Sequence, residues 1–217
     1  MSLVVAVRSD LDIVMACDGR VLARDLSVMS DDAPKTIALN GDVCLGLTGP
    51  TDALRHVLAS LGVPCRGAHP VDLLLSCQEV QCPVDLSYED ARSELTGFLR
   101  WMVRRVAPPE RVERIPSVVL GGRNRGVPAL AGWRFPTWRT LESPQVGRQT
   151  LSVGQVPPPG SPAGTAFQAL VSKGEPIGET LAQAVRICAR HFGPAGPISE
   201  TVFLRHLSRG FLLARAT

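Results

Sequence analysis

The chain has 217 residues, 45% of them hydrophobic and 20% charged, which suits one globular domain with a sizeable core. No apolar run approaches the roughly 18 residues that a membrane span needs, and a net charge of +3 is too mild to argue for nucleic acid. The start, MSLVVAVRSD, has no basic region ahead of a short apolar run, so it reads as a first strand rather than a signal peptide, and a cytoplasmic protein is expected.

Leu3 to Val7 and Asp12 to Cys17 are apolar runs joined by the polar turn Arg8-Ser9-Asp10, the pattern of a hairpin. Lys35 to Leu39 and Val43 to Leu47 form a second pair around Asn40-Gly41-Asp42, because Asn and Gly both tolerate positive φ. Thr51 to Leu61 has helical apolar spacing, with Thr51 or Asp52 as N-cap. The stretch with Pro64, Gly67 and Pro70 contains an apolar run, Val71 to Leu75, with no assigned role. Ser87 to Val106 is a long helix that opens on a capping-box pattern and stops before Pro108-Pro109.

A second strand region follows: Ser117 to Leu120, ending at Gly121-Gly122, then Val127 to Trp133, Trp138 to Leu141 and Thr150 to Val153. The prolines 157 to 159 mark a loop. Two helices, Pro162 to Lys173 and Ile177 to His191, precede the closing strands Thr201 to Leu204 and Phe211 to Ala214. Helices grouped between strand meanders predict an α+β fold with antiparallel sheets, for which a four-layer α-β-β-α sandwich is one solution. One domain over residues 1–217 is expected. The cysteines are scattered, and Cys77 and Cys82 have no second Cys or His pair at zinc spacing, so neither metal nor cofactor is expected.

The most informative residues lie early: Ser2 to Val7, then Ile13-Val14-Met15-Ala16-Cys17-Asp18-Gly19-Arg20, Ala33-Pro34-Lys35-Thr36-Ile37 and Leu45-Gly46-Leu47-Thr48-Gly49. This opening resembles the proteasome β-subunit family and its bacterial ring-protease relatives. Those proteins begin with Thr, reach an Asp and an Arg after two strands, have a Lys before the third strand, and end the fourth at a Gly. The spacing from Ser2 to Asp18 matches without a gap, and Lys35 falls one residue late. Ser117 to Gly122 and the helix pair from Pro162 to His191 continue the likeness in outline.

The resemblance implies an N-terminal-nucleophile hydrolase of that four-layer fold. Removal of Met1 would leave Ser2 with both a hydroxyl and a free α-amine, which titrates near pH 8 and serves as general base. Lys35 would favour loss of protons from that amine and hydroxyl, Asp18 would hold Lys35, and the Gly49 N–H would stabilise the oxyanion. Arg20 would brace the site. Lys35 stands out because the only other lysine is Lys173, in a chain that otherwise uses Arg, and only Lys has a readily tuned charge.

Three departures accompany the match. Ser replaces Thr as nucleophile. The stretch His191 to Pro197 lacks the Asp and Ser expected before the penultimate strand, while Ser199 and Glu200 come late, at or in that strand. Val153-Gly154-Gln155-Val156 stands where the family has Gly-Ser-Gly, which makes Gly154 and Gln155 supporting candidates. Three readings follow: a peptidase built on Ser2, a non-catalytic ring-forming relative, and an amide or acyl-transfer enzyme on the same fold. Expected partners are identical subunits in a single or double ring and a peptide or unfolded-protein substrate. No ATPase motif is present, so an unfoldase would be a separate protein.

Overall fold

The computed structural model describes residues 2–23, 25–63, 70–79, 85–134, 141–142, 148–173 and 177–216. The expected strand over Trp138 to Leu141 lies outside them except for Leu141. The protein is α+β, and its strand pairings are antiparallel.

One five-stranded sheet contains β1 (Leu3–Arg8), β2 (Ile13–Asp18), β10 (Gln149–Gly154), β11 (Val202–His206) and β12 (Leu213–Arg215), in the order β10-β1-β2-β11-β12. The other contains β5 (Thr36–Ala38), β6 (Val43–Thr48), β7 (Ser117–Asn124), β8 (Val127–Trp133) and β9 (Leu141–Glu142), in chain order. A small hairpin of β3 (Val21–Leu22) and β4 (Val28–Ser30), which carried no strand signal in the sequence, lies between β2 and β5 in the chain.

Side chains alternate across each strand with period two, so each central strand serves two apolar clusters. Val4 and Ala6 of β1 and Ile13, Met15 and Cys17 of β2 cluster with Cys44 of β6, Val119 of β7 and Leu130 of β8. Their neighbours Leu3, Val5, Val7, Val14 and Ala16 turn the other way, onto α5 (Pro162–Ser172) and α6 (Ile177–Phe192) through Phe167, Leu181 and Val185. In the second sheet Val43, Leu45, Leu47, Val118 and Leu120 pack with α1 (Thr51–Ser60), α2 (Pro70–Glu79) and α3 (Tyr88–Arg105). Burial on both faces is why β1, β2 and β6 read as continuous hydrophobic runs.

Several elements differ from the sequence expectation. Pro50, not Thr51 or Asp52, is the N-cap of α1, and it offers no side-chain cap; proline at that boundary already fixes a non-helical entry. Ser87 does cap α3, accepting from the Asp90 N–H. β7 does not stop at Gly121-Gly122 but runs through both glycines to Asn124, paired throughout with β8. Val71 to Leu75 belongs to α2, whose Leu73 and Leu74 are buried. A short helix, α4 (Arg111–Arg114), follows α3.

Candidate active site

Ser2 sits at the mouth of β1, an interior strand between β10 and β2. Its neighbour Leu3 donates its N–H to Asp18 Oδ1 at 2.8 Å, which ties the start of β1 to the end of β2. Asp18 is fully buried, and its other oxygen accepts from the Arg20 N–H at 2.9 Å and from Lys35 Nζ at 3.0 Å. Lys35 Nζ also donates to the Asp18 carbonyl at 2.9 Å. Asp18 thus takes two of the three ammonium N–H bonds, and the third has no partner among the described residues. A buried ion pair is tolerated only when the remaining polar valences are satisfied, and the two main-chain donors to Asp18 do that on the carboxylate side.

Ser2, Arg20, Lys35 and Gly49 line one cavity of about 50 Å³, together with Thr48 and the aliphatic side chains of Val21, Leu22, Leu47, Leu54 and Leu74. Four of the residues singled out in the sequence therefore meet at one place, and Asp18 lies directly behind Lys35. At roughly 10–15 Å³ of accessible space per water, the cavity holds a few waters or a small side chain. None of the lining residues is a histidine.

Two glycines are required by this geometry. Gly154 has φ +101, and a Cβ on it would stand 1.8 Å from the Ser2 carbonyl oxygen. The next residue, Gln155, donates its main-chain N–H to that same oxygen at 3.0 Å. These two residues grip the backbone of Ser2. Gly49 has φ +132, and a Cβ there would lie 2.9 Å from Pro116 Cα. None of the turn and loop hydrogen bonds among the described residues uses the Gly49 amide.

Arg20 is held by side-chain and main-chain partners. Its guanidinium forms a two-point pair with Asp31, at 2.7 and 3.1 Å, and donates through Nη1 to the carbonyls of Pro194 and Gly196 at 2.6 and 2.8 Å. Hydrogen bonding to Asp31, reinforced by its charge, raises the Arg20 pKa against the cost of burial. The loop 193–197 therefore contributes carbonyls rather than acids. Ser199 is not part of β11, which begins at Val202; it is buried in the preceding loop, where its Oγ accepts from the Gly19 N–H at 3.2 Å. Cys17 lies beside the site with its Sγ accepting from the Lys35 N–H at 3.2 Å. Burial pushes that thiol up, with Lys35 only partly opposing, so it stays a neutral thiol.

Sequence reasoning missed Thr48, Asp31 and Leu74. The first two are polar residues beside motif positions, and only coordinates distinguish them from turn residues. Leu74 sits on a helix that the proline- and glycine-containing stretch before it concealed. Among the described residues no group of His, Cys, Asp and Glu is arranged to hold a metal ion, and no helix is long and apolar enough to cross a membrane. No family model and no curated protein matches the chain.

Proposed function

We propose that this chain is a proteasome-like peptidase in which Ser2, exposed as the N-terminal residue by removal of Met1, is the nucleophile. The observation that carries the reading is the shared cavity of Ser2, Lys35 and Gly49, with Lys35 held from behind by buried Asp18. The proposed architecture is the four-layer α-β-β-α sandwich of N-terminal-nucleophile hydrolases. The strand cluster shared by the two sheets and the helix clusters on their other faces support it.

In this reading the Ser2 α-amine takes the proton of Oγ, directly or through one water, as Oγ bonds to the substrate carbonyl carbon. The charge of Lys35 favours the unprotonated amine. The Gly49 N–H donates to the developing oxyanion. As the peptide C–N bond breaks, the protonated amine returns its proton to the leaving nitrogen. Water then cleaves the Ser2 ester by the same route and regenerates the hydroxyl and amine. Gly154 and Gln155 fix the Ser2 backbone, and Arg20 fixes the loop 193–197. The assembly proposed with this chemistry is a ring of identical subunits that restricts access to the nucleophiles, fed with unfolded chains by a separate ATPase.

The non-catalytic relative is favoured by one feature: the loop 193–197 turns only main-chain carbonyls toward Arg20 and supplies no acid. A mechanism-based probe for N-terminal nucleophiles separates the two. Intact mass should show Met1 absent and one adduct on the wild type, and no adduct on Ser2→Ala. Mature wild type that takes no label rejects the peptidase.

A further inference from the structure

Arg205 of β11 is 5% exposed, yet none of its hydrogen-bond partners among the described residues is a carboxylate. Its Nε donates to Thr36 O and Oγ1 at 3.3 and 3.2 Å, Nη1 donates to the Phe211 carbonyl, and Nη2 donates to Gln78 Oε1. Gln78, on α2, in turn donates from Nε2 to the carbonyls of Pro34 and Thr36 at 3.3 and 3.1 Å, and to Leu74 of its own helix at 3.2 Å. Pro34 and Thr36 flank Lys35. The guanidinium and the amide thus grip the main chain on both sides of that lysine and share the Thr36 carbonyl.

We propose that Arg205 and Gln78 are positioning residues that set the Lys35 ammonium and the Leu74 wall of α2 at their places around the cavity. The assignment rests on the reading of Ser2 as nucleophile with Lys35 beside it. Stability alone is a poor reason to keep such a group. A buried guanidinium loses hydration, and neutral acceptors return less than a carboxylate would; apolar replacements of buried charges are often neutral or stabilising. What the planar fork does supply is simultaneous contact with three segments that are distant in sequence: β5, α2 and the turn at Phe211. The compact ammonium of a lysine cannot span them. The remaining restraints on the Lys35 backbone are its own N–H to Cys17 Sγ and its carbonyl, which accepts from Leu47 at 2.9 Å. The charged groups around its ammonium are Asp18 and Arg20.

The test compares mature wild type with Gln78→Leu, Arg205→Met and Arg205→Lys. One measurement is the rate constant for probe acylation of Ser2 across pH; the other is an NMR titration of the Ser2 α-amine, which needs no turnover. Gln78 is half-buried and uncharged, so Gln78→Leu keeps the proposal testable even where Arg205→Met does not fold. The expected result is an amine midpoint roughly half a pH unit higher as Lys35 loosens, and acylation slowed about tenfold through the chemical step rather than probe binding, with Arg205→Lys failing to rescue. Variants that lose stability but keep the wild-type midpoint and rate make the network merely structural and overturn the proposal. If mature wild type never acylates while the midpoint still moves in Gln78→Leu, the positioning role stands and the peptidase reading fails. If neither occurs, both fall.

Discussion

Replacing Lys35 by Met keeps an unbranched side chain and removes the only side-chain cation that hydrogen-bonds Asp18 among the described residues. Asp18 is 0% exposed, and its counter-charge at 3.0 Å is itself 3% exposed, so bulk solvent does not reach the carboxylate to take over. Removing one partner of such a pair costs about 3–5 kcal/mol, or roughly a 200- to 5,000-fold shift toward the unfolded state. In a chain of this length each kcal/mol lowers Tm by about 2–4 °C, so the expected loss is about 6–20 °C. Equilibrium urea denaturation gives the free energy, and a cycle with Asp18→Asn and the double variant gives the coupling, expected at about 2 kcal/mol. Lys35→Met within about 1 kcal/mol of wild type, or a coupling near zero, would mean that Asp18 is satisfied by the main-chain donors of Leu3 and Arg20 alone. The electrostatic argument for the site would then be refuted, independently of any assay of activity.

Three further outcomes are expected. Burial raises the pKa of Asp12, but hydrogen bonds from His206, Ser208 and Ile13 outweigh it and leave the carboxyl below its usual range. Its contribution is therefore present above the unfolded carboxyl value of about 3.9 and lost as pH falls below it, so Asp12→Asn should flatten the acid limb of a urea-midpoint profile. Burial pushes the thiols of Cys44 and Cys188 up to about 12 and raises Cys17 as well. Unfolded thiols ionise from about pH 8.5, so stability should fall as pH rises from there toward the folded values, and Cys17→Ser, Cys44→Ala and Cys188→Ala together should remove most of that slope. Finally, the aliphatic wall of Val21, Leu22, Leu47, Leu54 and Leu74 offers no counter-charge to a basic side chain. On the proposed peptidase reading, peptides with Ala or Val on the acyl side of the cleaved bond should be preferred over Arg or Phe, and Leu74→Ala should move the preference toward Leu and Phe, read as ratios of kcat/KM.

The part of the site that was legible in the sequence is the part carried by local patterns. The hairpin β1–β2 shows as two apolar runs about a polar turn, the Asn40-Gly41-Asp42 turn announces β5–β6, and Lys35 stands out in an arginine-rich chain. Gly49 and Gly154 were noticed as glycines, but the reason each is needed is contact with a residue far away in sequence, Pro116 for one and Ser2 for the other. The illegible part has the same cause. β3–β4 is too short to show a period, with Leu26 in its turn at φ 66 where a glycine signal would be expected. α2 begins at a proline that reads as a breaker. Arg205 is one arginine among many, and nothing within a few residues of it marks it as buried.

The polar groups of the site and their restraints divide along the chain. Ser2, Asp18, Lys35, Thr48 and Gly49 come from the first 49 residues, brought together by two hairpins whose contacts are short in sequence. The groups that hold them come largely from the C-terminal third: Gly154 and Gln155 on the Ser2 carbonyl, Pro194 and Gly196 on Arg20, Ser199 on Gly19, and Arg205 on Thr36. Loop-closure entropy makes the first set the easier to form and the second dependent on the remaining fold. The hairpins alone can bring Asp18 and Lys35 near Ser2, but they cannot exclude water from the pair or fix the serine carbonyl. The geometry proposed for Ser2 should therefore appear only when β10, α6 and β11 have docked, and not as an early property of the N-terminal hairpins.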